Sequence, residues 1–353
     1  MGMTNDHAAQ KVILEGDYTN AFNSISRGAV LRAKELVPST LPYTLQAYKQ
    51  ATTLFFGDFR LTSECGVQQG DPLGPLLFSI AIHDLAVSLQ SEMKVWYLDD
   101  VTVGGEPSDV LMDLRKIQSE SKDIGLSLNN SKSEVIIIGA DREQADSIAS
   151  DFLEVAPGIK IVPLEKATLL GSPLADEGIS GIIEEKVKAL ERVKENLRHV
   201  GTHNSLYLLK NCFLLPKLLY TLRTVPTWKN SEALRSFDSD QRKILEETLN
   251  VKIDDLQWQQ AALPVKMGGL GIRKIEDLAI PGYFSSLHAA CELSSSILPG
   301  VRTLDVAMNS EAGGLWEAAS STTEVPSEPA KQKSWDRPIA ERTYLSIINR
   351  RVH

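Results

Sequence analysis

Three aspartates stand where their chemistry is out of keeping with their neighbours. Asp99 and Asp100 interrupt the apolar run WYLDDVTVGG, and Asp17 closes the run KVILEGD. Aspartate is a poor strand former, and a charge taken out of water is costly without a partner. If both runs are strands, the Asp99-Asp100 pair lies at a hairpin turn and Asp17 ends another strand. If those strands are neighbours in one sheet, the three carboxylates meet at one end of it. They then repel and raise one another's pKa unless a cation neutralises them. Magnesium suits this, because it takes one or two carboxylates and substrate phosphates. Two such ions about 4 Å apart make a site for in-line phosphoryl transfer. By itself, an Asp-Asp pair at a turn is ordinary turn chemistry, and an Asp ahead of a helix is an ordinary cap.

Two further stretches shift that balance. GVQQGDPLGPLLF, residues 66–78, is a glycine-bounded loop running into an apolar helix. Gly66 and Gly70 permit close backbone approach, and the Gln69 amide can both donate and accept, which suits the edge of a nucleotide pocket. DYTNAFNSI, residues 17–25, carries an aromatic residue, Phe22, five positions after Asp17. In order along the chain, DYTNAFNSI, GVQQGDPLGPLLF, YLDD and GLSLNNSKSE resemble the consecutive palm motifs of reverse transcriptases, most closely those of non-long-terminal-repeat retroelements. The resemblance spans roughly residues 12–175, and the later PKLLYTLRTVP and LPVKMGGLGIRK are similar to the region after the palm in such elements.

The resemblance implies an RNA-directed DNA polymerase of a retroelement. Its cofactor would be two Mg²⁺ ions, with Mn²⁺ as a substitute. Its partners would be an RNA template, a DNA or RNA primer and dNTPs. Carried over by residue, Asp17 and Asp99 ligate both metals, Asp100 supports one of them or its shell, and the backbone carbonyl of Tyr18 completes the site. Phe22 falls at the steric gate that excludes a 2′-hydroxyl. Gln69 and Gly70 line the pocket beside the incoming nucleotide, with Gln69 preferred over Gln68 by its spacing to Gly-Asp-Pro-Leu. Lys132 matches a proton donor to the leaving pyrophosphate, and Leu170 with Gly171 resembles the primer-grip hairpin. Outside that context Phe22 reads as a core side chain and Lys132 as a solvated lysine in a polar turn.

The sequence also departs from the family pattern. Asn20 stands where lysine is common, Asn23 replaces the second aspartate of the first motif, and Gly74 replaces a serine. Asp17 comes almost at the start, so the expectation is a palm without its basic fingers subdomain. No endonuclease or RNase H motif follows. The alternative expectation is therefore a catalytically inactive palm-thumb remnant of a truncated element copy, or a passive nucleic-acid-binding module. MGGLGIRK lacks the spacing of a phosphate-binding glycine loop, and the six histidines show no metal-ligand spacing.

The elements that must position these groups follow from periodicity. Strand and helix signals interleave from residue 11 to 176. They include a hairpin in TLFFGDFRLTSE with Gly57-Asp58 as its turn, and a helix in LGPLLFSIAIHDLAVSL apolar nearly all round, so that most of it should be buried. LSLNNSKSEVIIIG reads as strand, turn, strand, and IKIVP with ATLLG as a further strand pair. From about Ile179 the periodicity is purely helical. The fold class expected is α+β: a polymerase palm, an antiparallel sheet with helices on one face, at 11–176, then an all-helical thumb-like domain at 177–300. KVKALERVKENLR is a candidate for tracking a duplex backbone. Residues 301–353 read as a flexible tail, polar over 319–333, with a short terminal helix from Asp336 to about Arg351.

Composition narrows the class. The 353 residues are 42% hydrophobic and 24% charged, the balance of an ordinary globular protein. The net charge of −9 argues mildly against polyanion binding, so nucleic-acid contact must rest on local chemistry or on basic groups outside this chain. Three widely spaced cysteines give neither a zinc pattern nor a disulfide framework. The N-terminal stretch has no apolar signal core and no run is long enough to cross a bilayer, so the expectation is an intracellular protein that is not secreted and has no membrane partner.

Overall fold

The computed structural model describes residues 10–32, 36–297 and 311–351. The chain divides into two compact units between Ala167 and Thr168.

The first unit is built on a five-stranded sheet in the order β4-β5-β1-β6-β7. Strand β1 (Lys11–Asp17) alternates, burying Val12, Leu14 and Gly16 on one face and setting Lys11, Ile13, Glu15 and Asp17 on the other. Helices α1 (Ala21–Ser24), α2 (Arg27–Leu31) and α3 (Leu41–Tyr48) follow. Strands β2 (Thr52–Phe56) and β3 (Phe59–Ser63) then form the expected hairpin, with Gly57 at φ 57° in its turn. Helix α4 (Gly74–Ser88) leads into β4 (Met93–Tyr97) and β5 (Asp100–Gly105), which pair antiparallel. Helix α5 (Pro107–Asp123), β6 (Glu134–Ile138), α6 (Arg142–Val155) and β7 (Lys160–Ile161) complete the unit.

Sequence patterning explains the helical layer. Val110, Leu114, Ile117 and Ser121 recur at helical spacing on the buried side of α5, which has Asp109 in its first turn and Lys122 in its last. Helix α6 starts at a capping box in which Asp141 and Gln144 bond each other's backbone N–H. Three readings need correction. Helix α4 buries Leu77, Phe78, Ala81, Ile82 and Leu85 but leaves Leu76 and Val87 exposed, so its burial is one-sided. The first strand expected in LSLNNSKSEVIIIG shrinks to one bridge, Tyr18 with Leu128, because β5 and β6 already occupy both edges of β1. Lys160–Ile161 pairs parallel with β6, whereas Thr168–Leu169 pairs with Ser172–Pro173, so IKIVP and ATLLG are not partners.

The second unit opens with the short hairpin β8 (Thr168–Leu169) and β9 (Ser172–Pro173) and is otherwise helical. It comprises α7 (Gly178–Leu197), α8 (Thr202–Leu208), α9 (Leu215–Thr224), α10 (Ser231–Leu249), α11 (Asp255–Ala262), α12 (Ile275–Ile297), α13 (Glu311–Ser320) and α14 (Gln332–Arg351). Its core draws Ile183 and Leu190 from α7, Leu218 and Leu222 from α9, Phe237 and Ile244 from α10 and Leu278 from α12. Where the sequence suggests a flexible tail, two helices pack onto α12. Trp335 is fully buried, its ring lies edge-on to Phe284 at 5.1 Å, and Trp316 Nε1 donates to the Trp335 carbonyl at 3.1 Å. Asp336 receives both arms of the Arg273 guanidinium. Two isolated tryptophans in polar surroundings supply this packing without leaving a periodic signal. Residues 301–310 of the expected tail lie outside the described residues.

Buried Asp238 on α10 accepts from the Ile275 and Glu276 N–H groups at the start of α12, at 2.7 and 3.1 Å, and from Gln241 Nε2 at 2.5 Å. Burial pushes its carboxyl up to about 7, against those backbone bonds, which favour the charge. Between about pH 4, where the unfolded group titrates, and about 7, the folded unit holds a proton that the unfolded chain has lost. Asp238 therefore makes stability fall as pH rises through that window and level off above it. Asp238→Asn is expected to flatten this decline. Urea midpoints followed from about pH 5 to 8 check it.

Candidate active site

The ends of β1 and β5 bring the acidic residues together. Asp17 and Asp100 are direct cross-strand partners, and Asp99 occupies the two-residue turn between β4 and β5. Leu98, the other turn residue, holds φ 59°, an uncommon conformation for a branched side chain. Like charges facing each other across a ladder destabilise it. Burial, then the charges of Asp99 and Asp17, raise the Asp100 pKa above the ordinary aspartate range. Oδ1 of Asp17 is buried and accepts no hydrogen bond. The Lys132 ammonium stands 3.8 Å from it. Among the described residues no group of three or more His, Cys, Asp or Glu side chains is arranged to hold a metal ion. The donor set nevertheless fits a hard divalent cation: carboxylates, one orphaned buried oxygen and an excess of negative charge.

The backbone around Asp17 is fixed by the loop after α5. The Asp17 carbonyl accepts from Asn129 N at 2.7 Å, Thr19 N donates to the Ser127 carbonyl at 2.9 Å, and Asp17 N donates to Ser133 Oγ at 3.2 Å. The Tyr18–Leu128 pairing thus uses the groups flanking Tyr18. Strand alternation turns the Tyr18 carbonyl the other way, toward the β5 side. The Tyr18 ring is buried and its hydroxyl bonds Ser121 Oγ at 2.6 Å. Lys132 sits in the tight turn closed by Ser133 N to the Asn129 carbonyl at 2.9 Å. Two acids escaped sequence reading. Glu15 lies directly opposite Glu134 and shares the Asp17 face of β1. Burial, then Glu134 and Asp100, push Glu15 up to about 7. The two-residue spacing of Glu15 and Asp17 was the available signal.

The glycine-bounded loop packs beside the first motif. Val67 N donates to the Phe22 carbonyl at 2.7 Å and Gly66 N to that of Ile25 at 2.8 Å. The Phe22 ring stacks on Phe78 of α4, centroids 4.7 Å apart and planes 10° from parallel. Gln69 and Gly70 are exposed at the loop's tip, and Gly70 holds φ 91°. Anchors that the sequence did not flag hold this loop. Asp71 accepts from the hydroxyls of Tyr43 and Tyr48 and from Leu73 N, and the Tyr48 oxygen accepts from Gln68 N at 3.2 Å. Burial opposes the Asp71 charge, but the bonds from Tyr48, Leu73 and Tyr43 outweigh it and hold the carboxyl below its usual range. Buried Arg27 donates to the carbonyls of Gly66 and Gln50 and to Ser63 Oγ. Asn20 adopts the left-handed conformation that asparagine tolerates and accepts from Asn23 at 2.7 Å, so two of the three departures from the family pattern bond each other. Leu170 and Gly171 form the β8–β9 turn in the second unit, both at positive φ, and the Leu170 carbonyl accepts from Tyr220 at 2.8 Å.

The site's motifs agree with a comparison against protein families. Residues 2–174 match the model of the reverse transcriptase (RNA-dependent DNA polymerase) family. Those residues, just under half of the chain, form a reverse transcriptase domain. The matched residues hold every candidate position of the first unit, from Asp17 to Lys132, and also reach Leu170 and Gly171. A relative of the chain is the retrotransposable element SLACS 132 kDa protein of Trypanosoma brucei gambiense, 26% identical over 289 residues. That alignment covers 78% of the present chain and 23% of the relative, so the chain spans about a quarter of that protein's length. Among solved structures, telomerase from Candida albicans with a fragment of telomeric RNA aligns over 84% of this chain and 50% of that chain, at 13% identity and a TM-score of 0.27. No helix among the described residues is long and apolar enough to cross a membrane.

Proposed function

We propose that this chain is the RNA-directed DNA polymerase of a retroelement, extending a DNA or RNA primer along an RNA template with dNTPs. The observation that carries the reading is the register of Asp17 with Asp100, with Asp99 in the adjoining turn and Asp17 Oδ1 buried without a donor. Asp17, Asp99 and the Tyr18 carbonyl would hold two Mg²⁺ ions, or Mn²⁺, with Asp100 in support. Bound there, the ions lower the pKa of the primer 3′-hydroxyl and stabilise charge on the leaving pyrophosphate.

The chain's own residues supply position and protons. Lys132, 3.8 Å from Asp17, offsets its charge and would serve as the proton donor for the leaving group. Gln69 and Gly70 at the exposed loop tip meet the nucleotide, while Asp71, Tyr48 and Arg27 hold that loop in place. Phe22 meets the sugar and excludes a 2′-hydroxyl. The β8–β9 turn serves the primer strand. Primer extension on an RNA template with Mg²⁺ or Mn²⁺ tests this reading. The wild-type chain extends the primer and Asp99→Ala does not. No synthesis by wild type at high enzyme concentration would identify the chain as an inactive remnant.

A further inference from the structure

We infer that Phe78 is a positioning residue for sugar discrimination: its buried ring is the platform that fixes the Phe22 gate against the nucleotide. The inference rests on the polymerase reading above and adds a residue to it. Helix α1, which carries Phe22, is a single turn of four residues. So short a helix cannot hold its own conformation, let alone aim a ring. It starts from Asn20 in the left-handed conformation, with no side-chain cap bond. The orientation of Phe22 must therefore come from outside α1.

Two contacts provide it. The Phe22 carbonyl is tied to Val67 N at 2.7 Å, which fixes the backbone but leaves the side-chain torsions free. The ring is fixed by Phe78, nearly parallel at 10° and 4.7 Å between centroids. Phe78 is 0% exposed and sits in the first turns of α4, a fifteen-residue helix with Leu77, Ala81 and Ile82 buried around it. Phe22 is only half buried. One face of the gate thus rests on a rigid, well-packed ring, and the ring keeps an open side. A sugar pressing on Phe22 pushes against the core of the unit. Without the flat platform, Phe22 can tilt and make room for a 2′-hydroxyl.

The test compares kcat/KM for a dNTP with that for the matching rNTP in primer extension. Phe78→Leu and the unbranched Phe78→Met, of similar volume, both keep the site apolar. The dNTP:rNTP ratio is expected to fall about three- to tenfold in both, the range that the loss of one aromatic pair allows. A residue that merely supports the fold would lower both rates together and leave the ratio unchanged, which would overturn the inference. Phe22→Val is the control for the reading beneath it and relaxes the ratio further. If Phe22→Val relaxes the ratio and neither Phe78 variant does, the gate stands and its platform is wrong. If wild type shows no preference, or incorporates neither nucleotide, gate and platform fall together. Should both Phe78 variants unfold, the wild-type chain with ¹³C at both ring δ carbons of Phe22 still decides the matter. A ring held on its platform gives two separate δ-carbon resonances, and a single averaged line overturns the proposal.

Discussion

If the proposed polymerase reading holds, Asp17→Asn is expected to lower the rate of nucleotide addition by about a thousandfold, and Asp100→Asn about tenfold. The first figure corresponds to about 4 kcal/mol of transition-state stabilisation, within the several kcal/mol that a catalytic cation contributes. The difference between the two follows from their surroundings. Asp17 Oδ1 is buried without a donor, so its coordination is met only when a cation arrives. An asparagine there removes the charge and aims either a weaker oxygen or an N–H at the ion. Asp100 is exposed and already disfavours its charged form, through burial of part of the group and through Asp99 and Asp17. Neutralising it removes repulsion as well as attraction, and the two partly cancel. Single-turnover rates with Mg²⁺ measure the ranking. Mn²⁺ binding, followed by paramagnetic relaxation of water protons, checks it without any turnover: Asp17→Asn weakens binding far more than Asp100→Asn. Equal losses would mean that the carboxylates act as an undifferentiated negative patch.

Local chemistry makes much of this legible in the sequence. The acid pair in WYLDDVTVGG announced a turn between two strands because aspartate has a place in turns and little place in ladders. The alternation of KVILEGD placed Asp17 at a strand end. Joining them required only that β1 and β5 be neighbours, and Asp17 faces Asp100 directly. What stayed hidden depends on contacts between residues far apart in the chain. Asp71 looks like a loop residue until Tyr43 and Tyr48 arrive from α3. Arg27 looks like a surface cation until three neutral oxygens surround it. Glu15 was masked by its own regularity, since an acid on an alternating strand reads as solvent-facing until Glu134 appears across the ladder. Trp335 reads as one aromatic in a polar tail, and only α12 and α13 show that it is a core residue.

Gly66→Ala is expected to cost the first unit about 4 kcal/mol, a large share of the stability of an ordinary domain. Gly66 holds φ 75° and faces the backbone of Asn23, so an added methyl would lie 2.6 Å from the Asn23 Cα, carbonyl carbon and oxygen. No rotamer relieves a clash between a Cβ and main chain. The loop must move away from α1, and with it go Gly66 N to Ile25 O, Val67 N to Phe22 O and the Arg27 bond to the Gly66 carbonyl. The left-handed conformation costs an alanine about 1–2 kcal/mol, and overpacking or orphaned buried polar groups add about 1–3 kcal/mol. Gly70→Ala is the internal control. Gly70 holds φ 91° but has nothing within 4 Å of the added methyl, so only the conformational part applies and the loss stays near 1 kcal/mol. Urea midpoints of the two variants separate the contributions. A similar loss at both sites would mean that backbone conformation alone accounts for Gly66. A much larger loss at Gly66 means that the nucleotide-side loop is seated on α1 by a contact that only a residue without a side chain can make. In that case Gly66→Ala also displaces Phe22, and whatever activity survives in it should discriminate poorly between dNTPs and rNTPs.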